Sequence, residues 1–171
     1  MSTVVLGERP PELEALLARR RALGLDGRDE VWQGVYHVAP HAHSDHGIVE
    51  AEIGAALWPR AKARGLRPSG AFNLGTSEDY RVPDLGFHEG RPGSTYVGTV
   101  AVVVEVLSPD DETWAKFGFY ADRGVRELLV ADPAERTVRC WRLVEGAYQP
   151  VDASELLAVA MAELIAEIDW P

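Results

Sequence analysis

The chain has 171 residues, 46% hydrophobic and 26% charged, a balance that suits one globular domain with enough length to bury a core and leaves no apolar run long enough to span a membrane. The formal net charge of −10 argues against a broad electrostatic grip on nucleic-acid phosphates, and the basic clusters RRR at 19–21 and RAKARGLR at 60–67 read as solvated helix faces. One cysteine, Cys140, excludes an internal disulfide; the N-terminal run lacks a signal-peptide pattern, so the expected setting is cytoplasmic.

In chain order, residues 10–23 suggest a helix with a partial stripe of Leu13, Leu16, Leu17 and Leu23, broken by GLDGRDE. VWQGVYHV at 31–38 predicts a hairpin turning near Gly34. A helix follows over about 46–64, striped by Val49, Ile53, Ala56 and Leu57 and capped by Asp45. LRPSGAFNLG and DYRVPDLGFHEG are strand candidates joined by the turn GTSED. TVAVVVEVL at 99–107 is almost wholly apolar and β-branched, the pattern of a strand covered on both faces. DDETWAKFGFYADRG predicts a helix capped at Asp110 or Asp111 and stopped at Gly124. VRELLVADP and RTVRCWRLVEGAYQPV supply closing strands, with Cys140 as a packing residue. ASELLAVAMAELIAEI predicts a terminal helix with Leu157, Met161, Leu164 and Ile168 on one face. The sum is a mixed α/β fold, with helices flanking a sheet, in a single domain over 1–171.

The chemistry centres on Glu105, a carboxylate inside the most apolar strand. Burying an ionised carboxylate without partners costs several kcal/mol or more, about the scale of a failed fold, so Glu105 is either paired or binds something. Asp84 follows Pro83 at or near another strand, and Lys116 lies on the segment after Glu105. Two carboxylates from neighbouring strands can hold a hard divalent cation such as Mg²⁺, while a lysine stabilises developing charge. A plain Glu105–Lys116 ion pair is the competing reading. His46 and Glu50 stand four apart on one helix face, and Glu50 could add an acidic group. His37, His41, His43 and His46 form a histidine-rich stretch that matches no zinc spacing. Trp114, Phe117 and Tyr120 read as core, and Ser108 as a turn or cap residue.

YRVPDLGFH, VVVEVLSPDDETWAKFGFYADRGVRELLVADP and RTVRCWRL resemble the Uma-two family of restriction-endonuclease-like domains over about 30–150, supported by HGIVEAEIGAAL and GAFNLG. The resemblance implies a restriction-endonuclease-like core of the PD-(D/E)XK nuclease class. It implies Asp84 and Glu105 as ligands of Mg²⁺ or Mn²⁺, with the main-chain carbonyl of Val106 as a third. Leu107 stands where the motif asks for lysine, and the family pattern moves that lysine to Lys116. The implied activity is metal-dependent hydrolysis of DNA phosphodiester bonds, and double-strand cleavage by such a fold implies a homodimer. Two rivals stay open: a non-catalytic nucleic-acid- or protein-binding module on the same fold, and a hydrolase or metal-binding protein built on the histidines.

Overall fold

The computed structural model describes residues 4–6 as backbone and residues 10–39, 43–109 and 112–171 in full. The elements are β1 (Val4–Leu6), α1 (Pro11–Ala22), β2 (Glu30–Trp32), β3 (Val35–Val38), α2 (Ser44–Ala63), β4 (Arg67–Ser69), β5 (Asn73–Thr76), β6 (Asp79–Arg81) and β7 (Leu85–His88). Then come β8 (Tyr96–Val97), β9 (Val102–Val106), a 3₁₀ turn (Thr113–Lys116) leading into α3 (Phe117–Asp122), β10 (Glu127–Asp132), β11 (Thr137–Val144), β12 (Ala147–Val151), β13 (Ala153–Ser154), β14 (Val159–Ala160) and α4 (Met161–Glu167).

One sheet runs β12-β11-β10-β9-β7-β4 and a second runs β1-β3-β2-β6-β5-β8. The valine-rich strand β9 is interior: β10 pairs with it in parallel and β7 antiparallel, and all five of its residues are buried. Its alternation sorts two cores. Val102, Val104 and Val106 pack with Val49, Ile53 and Leu57 of α2 and Leu164 of α4. Val103 points the other way, toward Tyr120 of α3, Val125 and Leu74. Burying each large aliphatic side chain of the α2 stripe contributes roughly 1.5–3 kcal/mol, so α2 is held firmly against the sheet. Glu105 shares the parity of Val103 and therefore faces α3.

The expected hairpin turning near Gly34 is present, and several other sequence expectations need correction. The turn between β2 and β3 uses Gln33 and Gly34, both at positive φ (50° and 85°), as a two-residue hairpin requires. On α1 Leu17 is buried and Leu13 packs partly buried against the same cluster, while Leu16 and Leu23 are exposed, so the stripe is narrower than expected. Asp45 does not cap α2: His43 does, its Nδ1 accepting from the Asp45 N–H at 3.3 Å. The two long strand candidates around GTSED divide between sheets, with β5 and β6 forming a hairpin in one while β4 and β7 pair in the other. Residues 99–101 precede β9 rather than belonging to it. The lysine segment begins as a 3₁₀ turn, and its expected caps, Asp110 and Asp111, lie outside the described residues. It does stop at Gly124, at φ 69°.

The largest departure is at the C-terminus. Only Met161–Glu167 is helical, while 153–154 and 159–160 pair as short strands. The cause is Glu127, 1% exposed at the start of β10. Its carboxylate accepts from Ser154 Oγ at 2.5 Å and from the Glu155 N–H at 2.9 Å. That anchor bends the backbone where a helix would have run. Leu157, Met161, Leu164 and Ile168 are nevertheless all buried. Among the described residues, no helix is long and apolar enough to cross a membrane.

Candidate active site

Antiparallel pairing of β7 with β9 sets Leu85 opposite Val104, which brings Asp84, one residue before β7, beside Glu105. Asp84 is 5% exposed and Glu105 3%. Asp84 Oδ2 accepts the Val106 N–H at 2.8 Å. Its Oδ1 meets His46 Nε2 at 3.1 Å and Arg28 Nη1 at 2.5 Å. His46 and Glu50 come from the first turns of α2, on the face that carries Val49 and Ile53, so core packing aims them at Asp84. One ligand atom each from His46, Glu50 and Asp84 lie within 4.8 Å of one another. The guanidinium of Arg28 spans the same group, its Nη2 3.1 Å from Glu50 Oε2.

Glu105 is paired differently. Its Oε1 accepts from Lys116 Nζ at 3.2 Å and from the Tyr120 hydroxyl. Lys116 Nζ also meets Glu30 Oε1 at 3.0 Å. Glu30 in turn accepts the Val82 N–H at 2.8 Å and the Trp32 indole N–H at 2.6 Å. Glu30 thereby ties the β2–β3 hairpin to the turn that presents Asp84 and to the lysine opposite Glu105.

The electrostatics differ between the two carboxylates. Burial pushes Glu105 up to about 8; Asp84 and Glu30 add to the rise, while Lys116 and the Tyr120 hydroxyl oppose it. Burial alone would raise Asp84 too, but His46, the Val106 N–H and Arg28 hold it below the ordinary aspartate value. Burial would lower Lys116, yet Glu105 and Glu30 outweigh it and raise the ammonium's pKa. His46 behaves likewise: burial lowers it, but Asp84 and Glu50 hold it above its usual value.

Of the residues singled out from sequence, Asp84, Glu105, Lys116, Val106, Glu50 and His46 all converge here. The rest of the histidine stretch does not. His37 is buried and stacks on Trp32 at 4.4 Å, His43 caps α2, and His41 lies outside the described residues. Ser108 does have a histidine neighbour, since its Oγ lies 3.1 Å from His46 Nδ1. The resulting serine–histidine–aspartate chain resembles a hydrolase triad, but Asp84 is shared with Arg28 and the Val106 N–H rather than devoted to the imidazole. Sequence reasoning missed Arg28, Glu30 and Tyr120. GRDE reads as a helix breaker, and its charges gave no hint of what they face. Tyr120 four residues after Lys116 was a usable signal, because that spacing puts both on one helix face.

The donor set suits a divalent cation. Carboxylate oxygens from Asp84 and Glu50 match a hard ion, and the imidazole of His46 admits a first-row metal such as Mn²⁺; Glu105 lies beside Asp84 but outside this three-residue group. The raised pKa of Glu105 comes first from its burial and then from Asp84 and Glu30, against the opposing pull of Lys116.

The fold is shared with a crystal structure titled "a putative nuclease belonging to DUF820", from Anabaena variabilis ATCC 29413, which superposes with a TM-score of 0.68, 16% identity and coverage of 82% of this chain and 90% of that one. Residues 11–170 match the family described as "Uma2: Putative restriction endonuclease", and the chain belongs to that family. The match extends beyond both ends of the 30–150 stretch that carries the sequence resemblance. No curated protein matches the chain.

Proposed function

We propose that the protein is a metal-dependent endonuclease that hydrolyses DNA phosphodiester bonds. The observation that carries this reading is the convergence of buried Asp84 and Glu105, from neighbouring strands, with Lys116, His46 and Glu50 around them in a chain of the Uma2 family. Asp84 is the central metal ligand, already held ionised. Glu50 and His46 complete one side and Glu105 the other. The Val106 carbonyl, on the same side of β9 as the N–H that reaches Asp84, is the main-chain ligand. Bound Mg²⁺ or Mn²⁺ would supply Lewis-acid polarisation of the phosphoryl oxygen and a more acidic water.

The chain's own groups do the rest. Lys116 holds its charge against Glu105, orients the attacking water and stabilises charge that develops on the phosphate. Glu30 fixes the ammonium's position, and the Tyr120 hydroxyl orients the Glu105 carboxylate. Two such sites in a homodimer would serve double-strand cleavage.

A second reading has its own observation. Arg28 and Lys116 already meet Asp84, Glu50, Glu105 and Glu30, so each of the four carboxylates has a cationic partner without metal, as a non-catalytic binding module requires. The net charge of −10 also favours that reading. Nicking of supercoiled plasmid, with and without millimolar Mg²⁺ or Mn²⁺, separates the two. The nuclease nicks only with metal, and Glu105→Gln cuts that nicking severely. A parent protein with no metal-dependent nicking and no metal-induced rise in melting temperature would decide for the binding module.

A further inference from the structure

Arg28 sits inside a group of metal-ligating side chains without being able to ligate a metal. Its two terminal nitrogens each take a different carboxylate: Nη1 lies 2.5 Å from Asp84 Oδ1 and Nη2 lies 3.1 Å from Glu50 Oε2. These two carboxylates and His46 are the same residues whose ligand atoms gather within 4.8 Å. An ion seated on Asp84 Oδ1 and Glu50 Oε2 would meet the guanidinium already bonded to both oxygens, cation against cation. Arginine does not lose its proton in proteins, so Arg28 cannot yield by neutralisation and must move.

The backbone beside it is fixed. Asp29 is 1% exposed and accepts from Arg20 Nη2 at 3.0 Å, the Tyr36 hydroxyl at 2.9 Å and the Ala39 N–H at 3.0 Å. Arg28 itself keeps 39% of its side chain exposed. The guanidinium can therefore swing toward solvent about its own torsions while its Cα stays put. A freed arginine beside a metal-bound phosphodiester meets the ligand its planar fork suits best.

We propose that Arg28 is a two-position residue: it holds Asp84 and Glu50 as a counter-cation in the metal-free protein, and it binds a non-bridging oxygen of the phosphodiester once a divalent cation has taken those carboxylates. This rests on the nuclease reading of the same site. It makes metal binding and Arg28–carboxylate pairing mutually exclusive, and it makes the DNA contact of Arg28 conditional on metal.

The test compares the parent with Arg28→Met, which keeps an unbranched stem. Mn²⁺ affinity is measured by calorimetry, and binding of a short DNA duplex is measured with and without Ca²⁺. The expected result is Mn²⁺ binding about tenfold tighter in Arg28→Met, and duplex binding about tenfold weaker than the parent's with Ca²⁺ but equal without it, the scale of one charge-assisted hydrogen bond. Mn²⁺ binding that is unchanged or weaker in Arg28→Met overturns the proposal while leaving the nuclease reading intact. So does equal duplex binding by the two proteins with Ca²⁺. If neither protein binds Mn²⁺ or nicks plasmid, the nuclease reading itself has failed. Melting temperature in the absence of metal identifies a variant that has merely failed to fold. In that case Arg28→Lys, which keeps a charge but loses the fork, replaces it, and it is expected to release Asp84 and Glu50 to Mn²⁺ more readily than the parent.

Discussion

Two glutamates lie buried on adjacent parallel strands, and they are solved in opposite ways. Glu127, at the start of β10, is hydrogen-bonded by neutral donors, the Ser154 hydroxyl at 2.5 Å, the Glu155 N–H at 2.9 Å and the Leu156 N–H at 3.4 Å, with the partly exposed Arg142 guanidinium farther off at 3.6 Å. Glu105, at the far end of β9, is met by a lysine and a tyrosine from a different element, and that lysine is shared with Glu30. Backbone donors fix a carboxylate in place for structural ends. Burial pushes Glu105 up to about 8, and neighbouring carboxylates add to the rise against the pull of the shared ammonium. The difference separates a glutamate that organises the chain from one available to an added cation.

Conservative substitution should split the pair most widely. Glu105→Gln should cut nicking by about 10³-fold, the upper range for one charged group at a reacting centre. It should also weaken Mn²⁺ binding while leaving the melting temperature at neutral pH little changed, because the metal-free carboxyl already holds its proton below about pH 8 and the amide keeps its shape. Glu127→Gln should do the reverse. It sets an amide donor against N–H and hydroxyl donors and should cost roughly 1–3 kcal/mol for each group left unpaired. Its nicking per folded molecule should be preserved. A common response of the two variants in urea melts and plasmid assays would collapse the comparison.

Lys116→Met tests whether the lysine is more than a counter-ion to Glu105. It should lower nicking by about 10²-fold with Mn²⁺ binding retained, since a repelling charge has left the site. It should also cost about 3 kcal/mol of stability, because Glu105 and Glu30 both lose a buried partner. That cost should be smaller at pH 6 than at pH 9, where Glu105 must carry its charge. A stability loss with nicking kept would reduce Lys116 to the ion pair that the sequence alone already allowed.

The pH dependence of the parent follows from the sign of the Glu105 shift. Its pKa is about 8 in the folded chain against 4.5 ordinarily, so the native state holds a proton that the unfolded chain releases. The contribution of Glu105 is fully present below pH 4.5 and is lost as pH rises through about 8. Asp84 runs the other way: its pKa is lowered, so its contribution is present above the ordinary value of 3.8 and lost as pH falls through the folded value. Chemical denaturation between pH 5 and 9 should show stability declining, and Glu105→Gln should flatten that slope. Calorimetry of Mn²⁺ binding at pH 7 in two buffers should register proton release, since an added cation favours the ionised carboxylate.

The sequence made one of these two glutamates visible. Glu105 stands out because it interrupts a run of valines, and Asp84 because it follows Val82-Pro83 before an apolar strand; the resemblance then joined them. Glu127 looked ordinary in VRELLVADP, because its partners are mostly main-chain N–H groups that no side chain announces. The same blindness misread the last segment. Leu157, Met161, Leu164 and Ile168 keep a helical spacing and are all buried, yet only Met161–Glu167 is helical. Apolar spacing records which residues seek the core, and Glu127 determines the backbone that takes them there. Arg28 and Glu30 were hidden for a related reason. Their roles come from where the β2–β3 hairpin docks, which local pattern does not encode.

The smallest effect sharpens the contrast furthest, because each glutamate receives one hydroxyl that can be removed cleanly. Ser154 Oγ donates to Glu127 and also accepts the Leu157 N–H at 3.0 Å, so it links the carboxylate to the C-terminal turn. Ser154→Ala should therefore cost about 1 kcal/mol of stability, and its nicking should follow the parent's pH profile. Tyr120 donates to Glu105 from a fully buried position on α3, and its hydrogen bond is one of the influences that hold Glu105 down. Tyr120→Phe keeps the ring in the core and removes only that bond. Glu105 then rises further, its ionised form becomes scarcer at neutral pH, and the ascending limb of the nicking profile moves toward alkaline pH. Full profiles at saturating Mn²⁺ check both variants together. A shift in Tyr120→Phe alone ties the hydroxyl to the chemistry of Glu105. A shift in neither variant would mean that Tyr120 serves Glu105 only as Ser154 serves Glu127, as a structural partner.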